Sequence, residues 1–228
     1  MGQRRMARSL FSVRDVMSMS SGSPPINKSG QAMRRKGQEK RQRLVDATGN
    51  LLRTCPLAQL RAADIAREAG TSLPNFYLYF DGVIDAVLAT VQQVLMADDR
   101  IVGLLDDTWA PNEIDVRALE FVSAYVSYWR EHAPLLRVRS MLVAEGEPRF
   151  AKAEEEASLP LLKAFSAKLA QVRPDIDHAP SAAGVILAML DRLAAYVPAG
   201  SNAFGVTTER LVGAAARVLA DTLRGGPR

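Results

Sequence analysis

One cysteine, Cys55, and two histidines, His132 and His178, stand among 228 residues. A lone thiol excludes an internal disulfide framework and fits a reducing compartment, so a cytoplasmic location is expected. The turn Cys55-Pro56-Leu57 suits it as a small buried apolar group better than as a redox sensor. The histidines lie far apart in loop-like contexts and join no cluster with metal-ligand spacing, so surface or capping roles are expected. There is no glycine-rich phosphate loop and no nucleophile-elbow serine. Enzyme activity, a bound metal and a cofactor are therefore all unsupported. No apolar run approaches the ~18 residues that a membrane span needs. The basic N-terminus lacks the continuous apolar block of a secretory signal.

What is present is ample core material, with 48% hydrophobic and 24% charged residues, in a length that suits one to two domains. The net charge of +4 conceals an asymmetry. Residues 1–43 hold eleven basic residues, among them Arg34, Arg35, Lys36, Lys40, Arg41 and Arg43, against two acids, Asp15 and Glu39. That segment carries +9, and residues 44–228 carry −5. A cluster of this kind is suited to neutralising phosphates and releasing their counterions. A solvated tail that aids solubility would have the same composition. Residues 1–35, rich in Ser, Met, Arg and Gly with Pro24-Pro25, read as a disordered basic extension. It is either a DNA-contacting arm or an artefact of start assignment, with Met33 as the initiator.

The most informative stretch is Ala62 to Phe80, AADIAREAGTSLPNFYLYF. Ile65, Ala66 and Ala69 share one face of a first helix. Gly70 supplies a corner, where a left-handed residue is tolerated. Thr71 and Ser72 offer hydroxyl caps for a second helix, and Pro74 sits in its first turn, where a missing N–H is harmless. Phe76 points back at the first helix, while Asn75 and Tyr77 face out. This is the spacing of a DNA-binding helix-turn-helix. A helical hairpin buried in a core is the competing reading.

The ending Tyr77-Leu78-Tyr79-Phe80, followed by Asp81-Gly82 and a new amphipathic helix, resembles the DNA-binding domain of the TetR family of bacterial transcription regulators. The specific resemblance spans about Lys40 to Ala89. It implies an all-α fold: a three-helix helix-turn-helix domain at 36–82, then a helical-bundle domain at 83–228 for ligand binding and dimerisation. It also implies DNA contacts, carried over one by one. Arg41, Arg43 and Arg61 would reach the backbone. Thr71, Ser72, Leu73, Pro74 and Asn75 would stand at the tip that enters the major groove, with Asn75 able to pair with adenine and Leu73 or Pro74 with a thymine methyl. Tyr77 and Tyr79 would donate to phosphates. One departure is Val83, which stands where family members often carry a phosphate-contacting lysine.

Helical patterns continue along the chain. Gln38–Arg53 forms a first helix, weakened locally by Gly49 and Asn50. Asp81 is expected to cap a helix through about Leu95 with the stripe Val83, Val87, Val91 and Val94. A loop is expected at Asp106–Asn112, then a helix at Glu113–Glu131 that His132-Ala133-Pro134 stops. A shorter helix follows at Leu135–Ala144, a break at Glu145–Pro148, and a helix to about Val172 kinked at Pro160. The final helices, about Ser181–Val197 and Thr207–Leu223, carry stripes at Ile186, Met189, Leu193 and Tyr196, and at Leu211, Ala215, Val218, Leu219 and Leu223. Such stripes fit either a two-fold helical interface or packing within one chain. The resemblance favours a homodimer through these two helices.

Phe121, Tyr125, Trp129, Met141, Phe165 and Met189 lie on neighbouring expected helices and would line either a filled core or a pocket. With the resemblance, a pocket for a small, largely apolar effector is expected. The functional expectation is a ligand-responsive, sequence-specific regulator, most often a repressor, acting on a near-palindromic double-stranded operator. The alternatives are a nonspecific architectural DNA binder driven by the basic tail and a small helical enzyme.

Overall fold

The computed structural model describes residues 35–96, 99–196 and 205–225. The basic extension through residue 34 and the end of the expected helix at Val197 lie outside them. The described residues fold as helices without a strand: α1 (Arg35–Leu51), a 3-10 turn (Leu57–Gln59), α2 (Ala62–Glu68), α3 (Leu73–Tyr77), α4 (Val83–Met96), α5 (Asp99–Asp106), α6 (Ile114–Ala144), α7 (Pro148–Val172), α8 (Ala179–Tyr196) and α9 (Thr208–Arg224).

Two apolar cores organise them. The first gathers Leu44, Val45 and Ala47 of α1, Ile65 and Ala66 of α2, Phe76 of α3, Phe80, and Val87 and Val91 of α4. Gly49, which lowers helix propensity, has its place here. A Cβ at this position would lie 3.3 Å from the Thr90 methyl, so the missing side chain lets α1 and α4 cross closely. At the same crossing the Thr90 hydroxyl donates to the carbonyls of Val45, at 3.2 Å, and Ala86, at 2.8 Å. At the start of α4 the Asp81 N–H donates to the Asp85 carboxylate at 2.9 Å.

The second core is built from α5 to α9 around Phe121 and Phe165, whose rings stack with centroids 5.2 Å apart. The expected stop at His132-Ala133-Pro134 does not occur, because α6 runs unbroken through Pro134 to Ala144. Proline in a helix interior costs ~3 kcal/mol through a lost hydrogen bond and a clash with the preceding turn. Leu135 and Leu136, directly after it, are buried in the first and second cores respectively. Burying two leucines at ~1.5–3 kcal/mol each outweighs the defect. The short helix α5, over Asp99–Asp106, was not anticipated; it ends where the loop at Asp106–Asn112 was expected to begin. α7 likewise continues past Pro160.

The stripes of α8 and α9 turn mostly inward. Ile186, Ala215, Leu219 and Leu223 are buried in the chain's own core, whereas Tyr196 and Val218 are exposed. The outward face of α8 carries Ser181, Val185, Ala188, Arg192 and Tyr196. The end of α9 is fastened by Arg173, which donates to the Thr222 carbonyl at 3.0 Å, and by an Arg224–Asp115 ion pair. Among the described residues no helix is long and apolar enough to cross a membrane.

Gly70 has φ +63°, and a Cβ placed there would meet nothing within 4 Å, so substitution meets backbone strain alone. Gly70→Ala should therefore destabilise the chain by ~1–2 kcal/mol, and Gly70→Asn by less, because asparagine tolerates this region. Urea unfolding followed by far-UV circular dichroism reads both.

Candidate functional site

The corner between α2 and α3 is closed by backbone bonds before any side chain acts. The Thr71 N–H reaches back to the Ala66 carbonyl at 2.9 Å, and the Gly70 N–H reaches the Arg67 carbonyl at 3.1 Å. This nested pair around a left-handed glycine is a Schellman motif. The chain then re-enters a helix at once. Ser72 is the N-cap of α3, its hydroxyl accepting the Asn75 N–H at 3.4 Å, with Pro74 in the first turn.

Phe76 is fully buried against α2 and touches Tyr77 edge-on at 5.3 Å and Phe80 at 5.6 Å between centroids. The face opposite Phe76 is left to solvent. Leu73, Pro74 and Tyr77 are exposed, and Asn75 is half-buried, its side-chain amide donating to the Thr71 hydroxyl at 3.0 Å. The structure thus gathers Thr71, Ser72, Leu73, Pro74, Asn75 and Tyr77 at one protruding tip. Tyr79 sits differently, half-buried against the first core. Leu78, 61% exposed beside Tyr77, belongs to this surface and was not anticipated, because its sequence context reads as core.

The basic residues split into two kinds. Arg43 and Arg61 are exposed, the latter at the N-cap position of α2. Arg41 instead lays its guanidinium over the Phe80 ring at 5.2 Å, and burial lowers its pKa. It packs the head, the unit of α1 to α4 around the first core, as well as presenting charge.

The second core holds five of the six aromatic and methionine residues expected to form a pocket: Phe121, Tyr125, Trp129 and Phe165 are buried, and Met189 is half-buried beside them. Met141 stands apart, 41% exposed on α6. Between α6 and α8 the Tyr125 hydroxyl and the Trp129 indole N–H both donate to Oδ1 of Asp191, each at 2.8 Å. Burial first, and the Asp191 charge second, raise the Tyr125 pKa well above its ordinary value, so it remains a neutral donor.

Arg139, only 6% exposed, approaches Glu154 of α7 at 3.0 Å and Asp191 at 3.7 Å, and lies 5.7 Å over the Trp129 ring. This node joins three helices. The sequence held a signal for it, since Arg139 occupies the i, i+4, i+7 row of Leu135 and Leu142, a buried row.

The two cores are coupled at a second corner. After α6, Gly146 has φ +84°. Glu147 N–H bonds the Leu142 carbonyl at 2.9 Å and Gly146 N–H the Val143 carbonyl at 3.0 Å, the same nested pair as at Gly70. Glu147 then caps α7. Leu142 and Phe150, on either side of this corner, are buried in the first core, and Arg149 pairs with both Glu147 and Asp85 of α4. The Arg149 side chain, with its backbone N–H second, holds the Glu147 carboxyl below its ordinary value of 4.5. A depressed carboxylate contributes fully above its unfolded pKa and loses that contribution as pH falls through the folded value. The corner should therefore keep its seat on the head through neutral pH and loosen only in acid, which hydrogen exchange of the Glu147 and Arg149 amides measured from pH ~7 downward would detect.

Replacing the cap separates structure from charge. Ser72→Ala should cost about 1 kcal/mol of stability. Ser72→Asp should retain the cap while placing a negative charge at the α3 tip, which would weaken binding to a duplex if that tip meets DNA; urea unfolding and fluorescence anisotropy with labelled duplex measure the two effects.

The comparisons with known proteins agree with this geometry. A family model described as "Tetracyclin repressor-like, C-terminal domain" matches residues 103–221. No curated protein matches the chain. Among solved structures, the fatty acid degradation regulator FadR from Bacillus halodurans is 16% identical with a TM-score of 0.58, covering 83% of this chain and 96% of that one. A TetR/AcrR-family transcriptional regulator from Thermobifida fusca is 20% identical with a TM-score of 0.56, covering 83% of this chain and all (100%) of that one. The TetR-family repressor AlkX from a Dietzia strain is 19% identical with a TM-score of 0.50, covering 81% of this chain and 95% of that one. With a regulator's fold over most of its length and the family's C-terminal domain over residues 103–221, the chain belongs to the TetR family of DNA-binding transcriptional regulators.

Proposed function

We propose that this regulator acts as a homodimeric, ligand-responsive repressor in the cytoplasm, on a near-palindromic double-stranded operator. The observation that carries the reading is the tip of α3: Leu73, Pro74 and Tyr77 are exposed while Phe76, between them, is buried. A helix so anchored on one side can enter a major groove on the other. Leu73 and Pro74 present apolar contact to a thymine methyl, Asn75 presents a carboxamide to an adenine edge, and Tyr77 donates to phosphate. Arg43 and Arg61 add backbone contacts from neighbouring helices.

The partner surface is proposed on the outward sides of the last two helices. Val185 at 69% exposure, Tyr196 at 57% and Val218 at 47% are large apolar groups left in solvent there. Pairing these faces across a two-fold axis would set the separation of two α3 tips near one helical turn of DNA, ~34 Å. A small, largely apolar effector among α6, α7 and α8 would act through the α6–α7 corner, because Leu142, Arg149 and Phe150 join that corner to the head. It would do so only if it binds the two head spacings with different affinity.

Titration of a duplex from the promoter upstream of its own gene is the direct test. Saturable binding that survives excess random duplex supports the reading, and equal affinity for both duplexes counts against it. The Asn75→Ala/Tyr77→Ala double variant should lose operator selectivity by ~10-fold or more while its circular dichroism is unchanged. Removing residues 1–33 should flatten the salt dependence with selectivity kept; loss of nearly all affinity would favour an architectural binder.

A further inference from the structure

The buried node at Arg139 has a donor that no acceptor among the described residues answers. One terminal nitrogen, Nη2, faces Glu154 at 3.0 Å, Asp191 at 3.7 Å and the Ser140 hydroxyl at 3.4 Å, but the Nε atom is buried without an acceptor among the described residues. A buried N–H left unpaired is costly, more so on a charged group. The two carboxylates are not deeply buried, with side chains 31% and 39% exposed. The node is therefore partly open to solvent on its carboxylate side, which α7 and α8 supply across their shared seam. Along that seam, Leu161 shares the Glu154 face of α7 two turns on, and Leu187 shares the Asp191 face of α8 one turn back. Both are half-buried against the second core.

We propose that this seam binds an uncharged, largely apolar molecule that presents a carbonyl oxygen to the Nε–H of Arg139, with its hydrocarbon part along Leu161 and Leu187. The inference rests on the effector reading above and names the chemistry of that site. Charge selects the class. One guanidinium already faces two carboxylates, so an anionic headgroup would add a third negative charge to a partly desolvated site. A cationic headgroup has no acceptor to offer Nε, so although the net charge of −1 attracts it, it leaves the buried donor unpaired. A neutral carbonyl satisfies the donor at no cost in charge. Occupation at Arg139 would bear on Glu154, one turn beyond Phe150, and so on the segment of α7 seated in the head.

The test uses the full chain without DNA and three probes with similar tails: methyl heptyl ketone, nonanoate and nonylammonium. With Trp109→Phe as background, Trp129 is the remaining tryptophan of the two in the chain and reports on the node. The ketone should change its emission saturably, and both ions should bind at least ~10-fold more weakly. Arg139→Lys keeps the positive charge and removes the Nε–H; it should weaken the ketone on the order of 10- to 100-fold. Glu154→Gln brings the node to neutrality, so the gap between ketone and nonanoate should narrow. If Arg139→Lys does not fold, the Glu154→Gln comparison decides. Ketone binding unchanged in Arg139→Lys, either ion binding as tightly as the ketone, an unaltered gap in Glu154→Gln, or no saturable ketone signal in the parent protein would each overturn the proposal, the last meaning that water answers Nε. Absence of operator selectivity would sink the DNA reading and leave this titration intact, so the two can fail separately.

Discussion

A left-handed glycine followed at once by a side-chain cap governs this molecule, and it is used twice. At Gly70 the backbone closes back on Ala66 and Arg67, and Ser72 starts a new helix two residues later. At Gly146 it closes on Leu142 and Val143, and Glu147 starts a new helix immediately. Each corner satisfies two late carbonyls of one helix and one early N–H of the next with a turn of at most four residues. Little chain is used in the turn, so the angle between the paired helices is fixed by covalent geometry and by the nearest core residue. For the first corner that residue is Phe76; for the second it is Phe150, and both lie in the same core.

That shared core is why the reading head and the helical body do not behave as beads on a string. Leu135, Leu142 and Phe150 come from the body but are buried with Val87 and Val91 of the head. α6, like α7, spans both cores, and Pro134 falls where α6 passes between them. Arg139 lies just beyond, joined to α7 through Glu154 and to α8 through Asp191, while the next turn of the helix enters the head. A change at this ion node would be felt by a segment that packed interiors do not allow to deform smoothly. This is a physical basis for communication that needs no long path.

The helix-turn-helix was legible in the residues because its determinants are local. Gly70, Ser72, Pro74 and Phe76 act on backbone within a few positions, and each carries a propensity that a reader of sequence can use. The expected pocket was legible in composition but not in geometry. Phe121, Tyr125, Trp129, Phe165 and Met189 do come together, yet Met141 points to solvent, since one step along a helix turns a side chain by about 100°. The ion node escaped notice because charged side chains read as surface, and only its helical row betrays Arg139. The stripes on α8 and α9 were ambiguous for a related reason: apolar residues on two adjoining rows cannot say which row meets its own chain.

By itself, then, the order of residues determined the all-helical class, the corner at Gly70 and the outward face of α3, because caps, glycine conformations and helical periodicity are short-range effects. Tertiary structure alone decided that α6 runs through Pro134, that Gly49 serves a helix crossing, and that Arg139, Glu154 and Asp191 meet. These outcomes depend on burial and on residues brought together from distant parts of the chain. At Pro134 the free energy of packing is larger than the local preference that it overrides.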